Sequence, residues 1–562
     1  MAEKNPRKSP KARSSNGSGS KPTRRKSSTP KAPARKPAAR KSRAKTPPTL
    51  KSMNPRTGET LREIPTVSPD EVRDAVELAR KVAPEWGAIS PEGRAHILRE
   101  VRYRMYSMMD EIVETVSAET GKPRTEALAH DLVPAMMMLL YYERTVAKSL
   151  KPKRIGGYFA PMLGVSSRLE WRPFGVVGCI SPWNYPITNA FLAFSTPLFA
   201  GNSVVIKPSE VTPACGELLR KMLEPLPSGV ATVIQGGGDV GAALVDAPCD
   251  KISFVGSPVT GRRICEAAAR HLTPVVMELG GQDAAIVCED ANLDVASSGV
   301  LWGSFFNAGQ TCCSIERTFV VDSVADEFKD RLVAKLSELR QGTEDGDVGS
   351  LTFPRQLEIV ERHVSDAVSK GATVLAGGSD AGPSNSNGSL WFAPTVLEGV
   401  TEEMDVVKEE TFGPVLTITR VQDEAEAVRR ANEEGVNLTA SVWTRSRAKA
   451  ESIGSKLRAG TIASNDHGTQ VGMPWSPWGG VGESGFGRLN GELGMQEFSV
   501  PVHVAHNMLP GMKKIWWYPY EENVTKGFTA MADILGSPRV GTKLSAARSL
   551  IKHAAGALKQ KL

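Results

Sequence analysis

Residues 174–186 read Phe-Gly-Val-Val-Gly-Cys-Ile-Ser-Pro-Trp-Asn-Tyr-Pro. Val176–Ile180 is a short apolar run that closes at Ser-Pro, the pattern of a strand buried on both faces. Similar runs recur at Ser203–Ile206, Ala231–Ile234, Ile252–Val255 and Val275–Leu279, with helix-like segments between them. This alternation predicts a parallel sheet covered by helices on both sides. Ligands of such sheets bind beyond the carboxyl ends of the strands. The segments that follow those ends are Ser181–Asn184, Lys207–Glu210, Gly236–Gly241 and Gly256–Gly261, and they carry the distinctive residues.

Further along lies Phe305-Phe306-Asn307-Ala308-Gly309-Gln310-Thr311-Cys312-Cys313-Ser314. Cys312 follows a Gly-Gln turn and has no Cys-x-x-Cys partner. Met277-Glu278-Leu279-Gly280-Gly281 ends an apolar strand on a carboxylate, where burial raises its pKa. Pro182-Trp183-Asn184-Tyr185-Pro186 adds a side-chain amide. A thiol, a carboxylate base and an amide donor are the parts of acyl chemistry on sulfur. Each residue alone also fits a plainer role: a packed thiol, a solvated strand-end Glu, a turn Asn.

With these motifs in this order, the sequence resembles the NAD(P)-dependent aldehyde dehydrogenase superfamily over roughly residues 51–510. The resemblance implies that Cys312 is the nucleophile, with Cys313 its neighbour. It makes Asn184, together with the backbone N–H of Cys312, the oxyanion donor, and Glu278 the base that activates water. The dinucleotide pyrophosphate would meet the helix opened by Gly256, Ser257 and Gly261. Lys207, Ser209 and Glu210 would surround the adenine ribose, and Glu410 would hold the nicotinamide ribose with Phe412 beside it. Ser181, Pro182, Trp183 and Leu279 complete the expected cofactor set. Gly238 and Gly241 fit half of an ordinary dinucleotide fingerprint. Glu210 accepts ribose hydroxyls and repels a 2′-phosphate, which favours NAD over NADP. Gln282 stands where the family often has Lys or another residue. An acyl transfer to CoA is disfavoured by Glu278.

The expected fold class is α/β, with two Rossmann-like parallel domains and a small β oligomerisation element. Residues 51–150 and 172–279 would form the NAD-binding domain and 280–484 the catalytic domain. Residues 151–171 and 485–510 would form the oligomerisation element of a homodimer or homotetramer, and 511–562 a C-terminal extension. Ser68-Pro69-Asp70-Glu71 predicts a helix start with Ser68 as cap, and Val72, Ala75, Val76 and Leu78 its buried face. Ala135–Tyr142 reads as buried helix, too short to span a membrane.

Charge is unevenly distributed. Residues 1–50 hold sixteen Lys/Arg and one Glu, a net +15, so the remainder carries −8 against the overall +7. A Lys/Arg/Ser/Pro segment of this kind buries too little to order itself. It reads as a disordered tail, either a non-specific nucleic-acid arm or a solubilising one. Seven scattered cysteines without a signal peptide suggest a reducing, cytoplasmic setting, and no His/Cys spacing suggests a metal site. Between Ser537 and Leu562 there are six Lys/Arg and no acid. Leu544, Ala547, Ile551, Ala554, Leu558 and Leu562 recur there at helical spacing. This is either a basic amphipathic helix peripheral to an anionic membrane or a helix packed on a neighbouring subunit.

The expected activity is oxidation of an aldehyde to a carboxylic acid. The alternative is a catalytically inactive scaffold or nucleic-acid-tethered binding protein on the same fold. The substrate entrance is expected near Tyr185, Phe306, Ser314 and His467–Val471. No Arg pair is placed for a carboxylate-bearing substrate, so aromatic or medium-to-long aliphatic aldehydes are expected.

Overall fold

The computed structural model describes residues 48–561, apart from 158–159, 161–162, 343–345, 380, 386, 434–436 and 515. The expected basic arm lies outside the described residues except for its last three. Of these, Thr49 and Leu50 already belong to a strand, Thr49–Met53, which pairs antiparallel with Thr60–Pro65. The Asn54–Glu59 turn closes this hairpin, with the Arg56 amide donating to Asn54 Oδ1 at 3.0 Å.

The helix Pro69–Ala88 begins at a capping box. The Glu71 amide donates to Ser68 Oγ, and the Ser68 amide donates back to the Glu71 carboxylate. Val72, Ala75 and Val76 are buried as expected, but Leu78 turns outward at 39% exposure. The helix Val133–Ser149 buries Ala135, Met138, Leu139 and Tyr142 and leaves Met137 outside the core.

A six-stranded sheet runs in the order 485–486, 275–279, 251–256, 176–180, 203–207, 231–233. All neighbours are parallel except Gly485–Phe486, which pairs antiparallel with Met277 and Glu278. Every residue of Val176–Ile180 and Ser203–Lys207 is buried, because helices cover both faces. The chain order reverses at Val176–Ile180, which puts Ser181, Lys207 and Gly256 at the crevice where such sheets bind ligands.

Gly280–Gln282 connect this sheet directly to Asp283–Val287 of a seven-stranded one. Its order is 373–378, 393–398, 415–421, 315–321, 283–287, 437–443, 459–464. It is parallel apart from Thr373–Gly378. The buried Asp283 carboxylate ties it together, accepting from the Leu438 and Thr439 amides at 2.7 and 2.8 Å. A third, antiparallel sheet joins Ser499–Asn507, Val165–Pro173 and Lys153–Arg154. Residues 485–510 therefore divide. Gly485–Phe486 lie in the six-stranded sheet, and only Ser499–Asn507 lie in the three-stranded one. The chain ends in two helices, Glu522–Gly536 and Val540–Lys561. Among the described residues no helix is long and apolar enough to cross a membrane.

Candidate active site

The loop that carries Cys312 leaves the helix Leu293–Phe305 through three consecutive residues of positive φ: Asn307 (53°), Ala308 (53°) and Gly309 (70°). A β-carbon at Gly309 would collide with the Gly413 carbonyl, so only glycine fits there. Two non-glycine residues in this region need outside support, and side chains supply it. The Asn307 amide donates to Glu126 Oε1 at 2.9 Å. Asn307 Nδ2 donates to the carbonyls of Asn184 and Gln310 at 3.1 and 3.0 Å. The Gln310 side chain donates to the Asn307 carbonyl at 3.0 Å and accepts from the Thr352 amide at 2.9 Å. His467 Nε2 lies 2.7 Å from the Cys313 carbonyl. Burial lowers the pKa of His467 to about 4, so the neutral ring donates this bond. Cys313 is buried while Cys312 is half-buried and faces a cavity.

Glu278 ends the strand Val275–Leu279 and is 1% exposed. Trp478 Nε1 donates to its Oε1 at 2.9 Å, and Oε2 has no hydrogen-bond partner among the described residues. Burial raises this carboxyl to about 7, with the Trp478 bond and the nearby Cys312 thiol pulling the other way. The Cys312 thiol is in turn pushed well above the ordinary thiol range. Its hydrogen bond with Cys313 is the main cause, followed by burial and the Glu278 charge. Thiol and carboxyl therefore sense each other although no well-formed bond joins them.

Asn184 is brought to the same loop. Its Nδ2 donates to the Gln310 carbonyl at 2.9 Å, and its Oδ1 accepts from Asn189 at 2.9 Å. Its own carbonyl accepts from Lys122 Nζ at 2.8 Å. Lys122 forms a fully buried ion pair with Asp131 at 2.7 Å and lies over the Tyr185 ring at 4.1 Å. Asp131 Oδ1 also accepts from the Ile187 and Thr188 amides. One buried cation and one buried anion thus fix both ends of the Asn184–Thr188 turn.

The expected cofactor residues gather at the carboxyl edge of the six-stranded sheet. Lys207 is buried, and its Nζ meets Glu210 Oε2 at 2.6 Å, while the Glu210 side chain is 44% exposed. Ser209 Oγ accepts from the Val211 amide. Gly238 opens the helix Gly238–Asp246 with free space where a β-carbon would sit, and Gly241 follows one turn later. Gly256 ends its strand, and exposed Ser257 caps the helix Pro258–Ala269. Gly261 packs against Leu279. Ser181 Oγ is buried with no hydrogen-bond partner among the described residues, and Pro182 and Trp183 follow it half-buried. An open helix N-terminus, a glycine with clear space, an unpartnered hydroxyl and an exposed carboxylate suit a dinucleotide's phosphates and ribose.

Glu410 and Phe412 lie across the crevice on a loop of the second sheet. Glu410 Oε1 accepts from the Gly281 amide at 3.1 Å. A β-carbon at Gly280 would strike the Glu410 carboxylate. Burial, then the charge of Glu316, lifts the Glu410 carboxyl well above its usual range. Phe412 has φ 50° and is held by its amide, which donates to Glu316 Oε1 at 2.9 Å. Trp183 stands edge-on to Phe412, with ring centroids 5.5 Å apart. Gln282 donates to the Glu409 carbonyl at 2.8 Å, so it tethers this loop.

On the other side of Cys312 is a cavity of about 370 Å³. Met137, Tyr185, Trp302, Phe306, Met473 and Trp475 dominate its wall, and among the described residues no Lys, Arg, Asp or Glu lines it. Trp302 stacks on Phe306 at 4.5 Å, with His130 edge-on to both rings. Tyr185 and Phe306 were expected at the entrance. Ser314 and His467 were too, but they turn beneath the loop: Ser314 Oγ donates to the Ser304 carbonyl and His467 to that of Cys313. Sequence reading missed Trp478, His130, Trp302, the two methionines and the Glu126–Asn307 tie. Only Trp478 carried a local signal, the glycine-rich run that follows it.

The profile described as "Aldehyde dehydrogenase family" matches residues 42–504. A 4,4′-diapolycopene aldehyde oxidase of Methylomonas sp. is 36% identical over 490 residues, covering 87% of this chain and 91% of that protein. A putative NADP(+) succinate-semialdehyde dehydrogenase of Mycolicibacterium smegmatis is 38% identical over 458 residues, covering 80% and 87%. Among solved structures, betaine aldehyde dehydrogenase from Staphylococcus aureus in complex with NAD+ superposes with a TM-score of 0.78 at 29% identity, covering 84% of this chain and 96% of that one.

Proposed function

The chain belongs to the aldehyde dehydrogenase family and is an NAD(P)-dependent oxidoreductase of aldehydes; on that premise we propose that its substrates are large apolar aldehydes and that Cys312, Glu278 and Asn184 carry the reaction. The observation behind this reading is the position of Cys312, between an uncharged aromatic cavity and a buried carboxyl raised to about 7.

Glu278 takes the Cys312 proton, and Sγ bonds to the aldehyde carbon. The carbonyl electron pair moves onto oxygen. Asn184 Nδ2, with one N–H spent on Gln310, turns its second toward that oxygen alongside the Cys312 amide, a contribution of a few kcal/mol per donor. Bound NAD(P) supplies the two-electron acceptor for the aldehyde hydrogen. The carbonyl re-forms as a thioester on Cys312. Glu278, having lost its proton to solvent, deprotonates a water whose oxygen attacks the thioester. The C–S bond breaks, the acid leaves and the thiolate is restored. A base with a pKa near 7 is matched to this step at neutral pH.

Ser257 and the first turn of its helix would hold the pyrophosphate, Lys207 and Glu210 the adenine ribose, and Glu410 the nicotinamide ribose. Glu210 supports NAD over NADP. The three-stranded antiparallel sheet, with its half-exposed strands, supports a homodimer or homotetramer.

The substrate reading rests on the cavity wall. The relative named for succinate semialdehyde would need a cation for its substrate's carboxylate, and among the described residues no Lys or Arg lines this cavity. Reduced nicotinamide formation across straight-chain, aromatic and carboxylate-bearing aldehydes, with NAD and NADP separately, tests it. The apolar aldehydes should lead, and Cys312→Ala should abolish turnover. Equal rates in that variant, or a preference for the carboxylate-bearing aldehyde, would overturn the reading.

A further inference from the structure

The two C-terminal helices pack against each other and leave a stripe of large apolar side chains exposed. The helix Val540–Lys561 turns small and polar residues toward Glu522–Gly536. Thr542, Ser545, Ala546 and Ser549 face Lys526, Thr529, Ala530 and Asp533 across a crevice, and His553 Nδ1 meets Asn523 Oδ1 at 2.9 Å. Three of its larger apolar side chains point away: Val540 is 71% exposed, Leu544 63% and Ile551 73%. These lie within about one-ninth of a turn of a common line along the helix. Leu550 and Ala554 carry the apolar surface round to Phe528 and Met531 of the first helix. Phe528 is itself 44% exposed, and Leu535, two turns on, 67%.

Basic residues flank this stripe. Lys543 lies on one side of it, Arg548 and Lys552 on the other, and all three are exposed. No acidic residue occurs between Ser537 and Leu562. An apolar stripe between rows of cations is the surface that lies in the interface of an anionic bilayer. The apolar side chains enter the acyl boundary and the ammonium and guanidinium groups reach the phosphates.

We propose that the C-terminal hairpin docks the enzyme peripherally on an anionic lipid surface through Leu544, Ile551 and Phe528, with Lys543, Arg548 and Lys552 at the headgroups. A second copy of the chain is the competing occupant. It is disfavoured because a symmetric pairing of this face would bring the cationic rows together with no acid among them.

The test is co-sedimentation of the full chain with vesicles of phosphatidylcholine alone and of phosphatidylcholine with phosphatidylserine. The enzyme should sediment with the anionic vesicles and stay free of the neutral ones. Because the basic N-terminal segment is a second source of attraction, the deciding comparison is within the full chain. Leu544→Asp with Ile551→Asp should weaken vesicle binding by roughly tenfold or more, with oxidation of a short soluble aldehyde unchanged. Lys543→Glu, Arg548→Glu and Lys552→Glu together should weaken it by roughly a hundredfold. Unchanged vesicle binding in both variants would overturn the proposal. So would a fall in molar mass by light scattering in the Asp variant with vesicle binding intact, which would make this face a subunit contact.

Discussion

Trp478 and Glu278 are 200 residues apart in sequence and joined by one hydrogen bond, Nε1 to Oε1 at 2.9 Å. The indole donor favours the ionised carboxyl and works against the burial that raises it to about 7. Trp478→Phe removes the donor and keeps most of the ring. The acid limb of the pH–rate profile, expected near 7 in the parent enzyme, should move to higher pH. Steady-state rates from pH 5 to 9 check this. An acid limb at the same pH in both proteins would separate the titrating group from Glu278.

Glu278→Gln removes the base from both steps, so it should form the thioester slowly and release it more slowly still. Rapid-quench mass spectrometry should find acylated Cys312 accumulating, with steady-state turnover lowered by a factor of about 100 to 10,000, the usual worth of a general base.

The same substitution has a pH-dependent effect on stability. The Glu278 carboxyl is raised from 4.5 to about 7 on folding. Its contribution to stability is therefore fully present below 4.5 and is lost as pH rises through about 7. Glutamine does not titrate, so the variant should gain stability relative to the parent as pH rises. The difference should be small at pH 4.5 and approach an upper limit of about 3 kcal/mol at pH 8. Apparent Tm measured for both proteins at the two pH values gives the sign.

The local signals in the sequence were sound where one segment decides its own shape. The Ser68–Glu71 capping box and the strand Val176–Ile180 depend on neighbours within a few residues. Leu78 departed because helical period gives a face, while its width depends on what packs there. The Trp478–Glu278 bond depends on Gly485 pairing with Glu278 across the sheet edge, which no local pattern encodes. Glu126 and Asp131 sit in helical sequence and Lys122 in the loop before it, and only the assembled fold shows that Glu126 holds the Cys312 loop and the other two the Asn184–Thr188 turn. His467 and Ser314 were near the entrance in sequence but turn under the loop, because each satisfies a buried carbonyl there.

Gly280 is a test of the second side of the crevice. A β-carbon there would occupy the place of the Glu410 carboxylate, which accepts a hydrogen bond from the Gly281 amide. Gly280→Ala should displace Glu410, raise KM for the dinucleotide by roughly tenfold, the cost of one lost charge-assisted bond, and leave KM for the aldehyde nearly unchanged. Circular dichroism separates this from misfolding. An unaltered dinucleotide KM in a folded variant would remove Glu410 from the cofactor site.

The cavity wall makes the last prediction, because its chemistry can be inverted by one side chain. In an uncharged cavity each added methylene of an aldehyde is worth about 0.8 kcal/mol, so kcat/KM should climb about fourfold per carbon until the space is full. Met473 lines that cavity beside Val471 and Trp475. Met473→Arg would place a guanidinium in it, giving a carboxylate-bearing aldehyde a bidentate partner and costing apolar substrates their contact. The chain-length slope should flatten and the ratio of kcat/KM for succinic semialdehyde over an alkanal of equal length should rise by roughly a hundredfold, since a charged hydrogen bond is worth about 1.5–3 kcal/mol. Should the parent show no dependence on chain length, the substrate does not enter past Met473, and the Arg variant would then leave the ratio where it was.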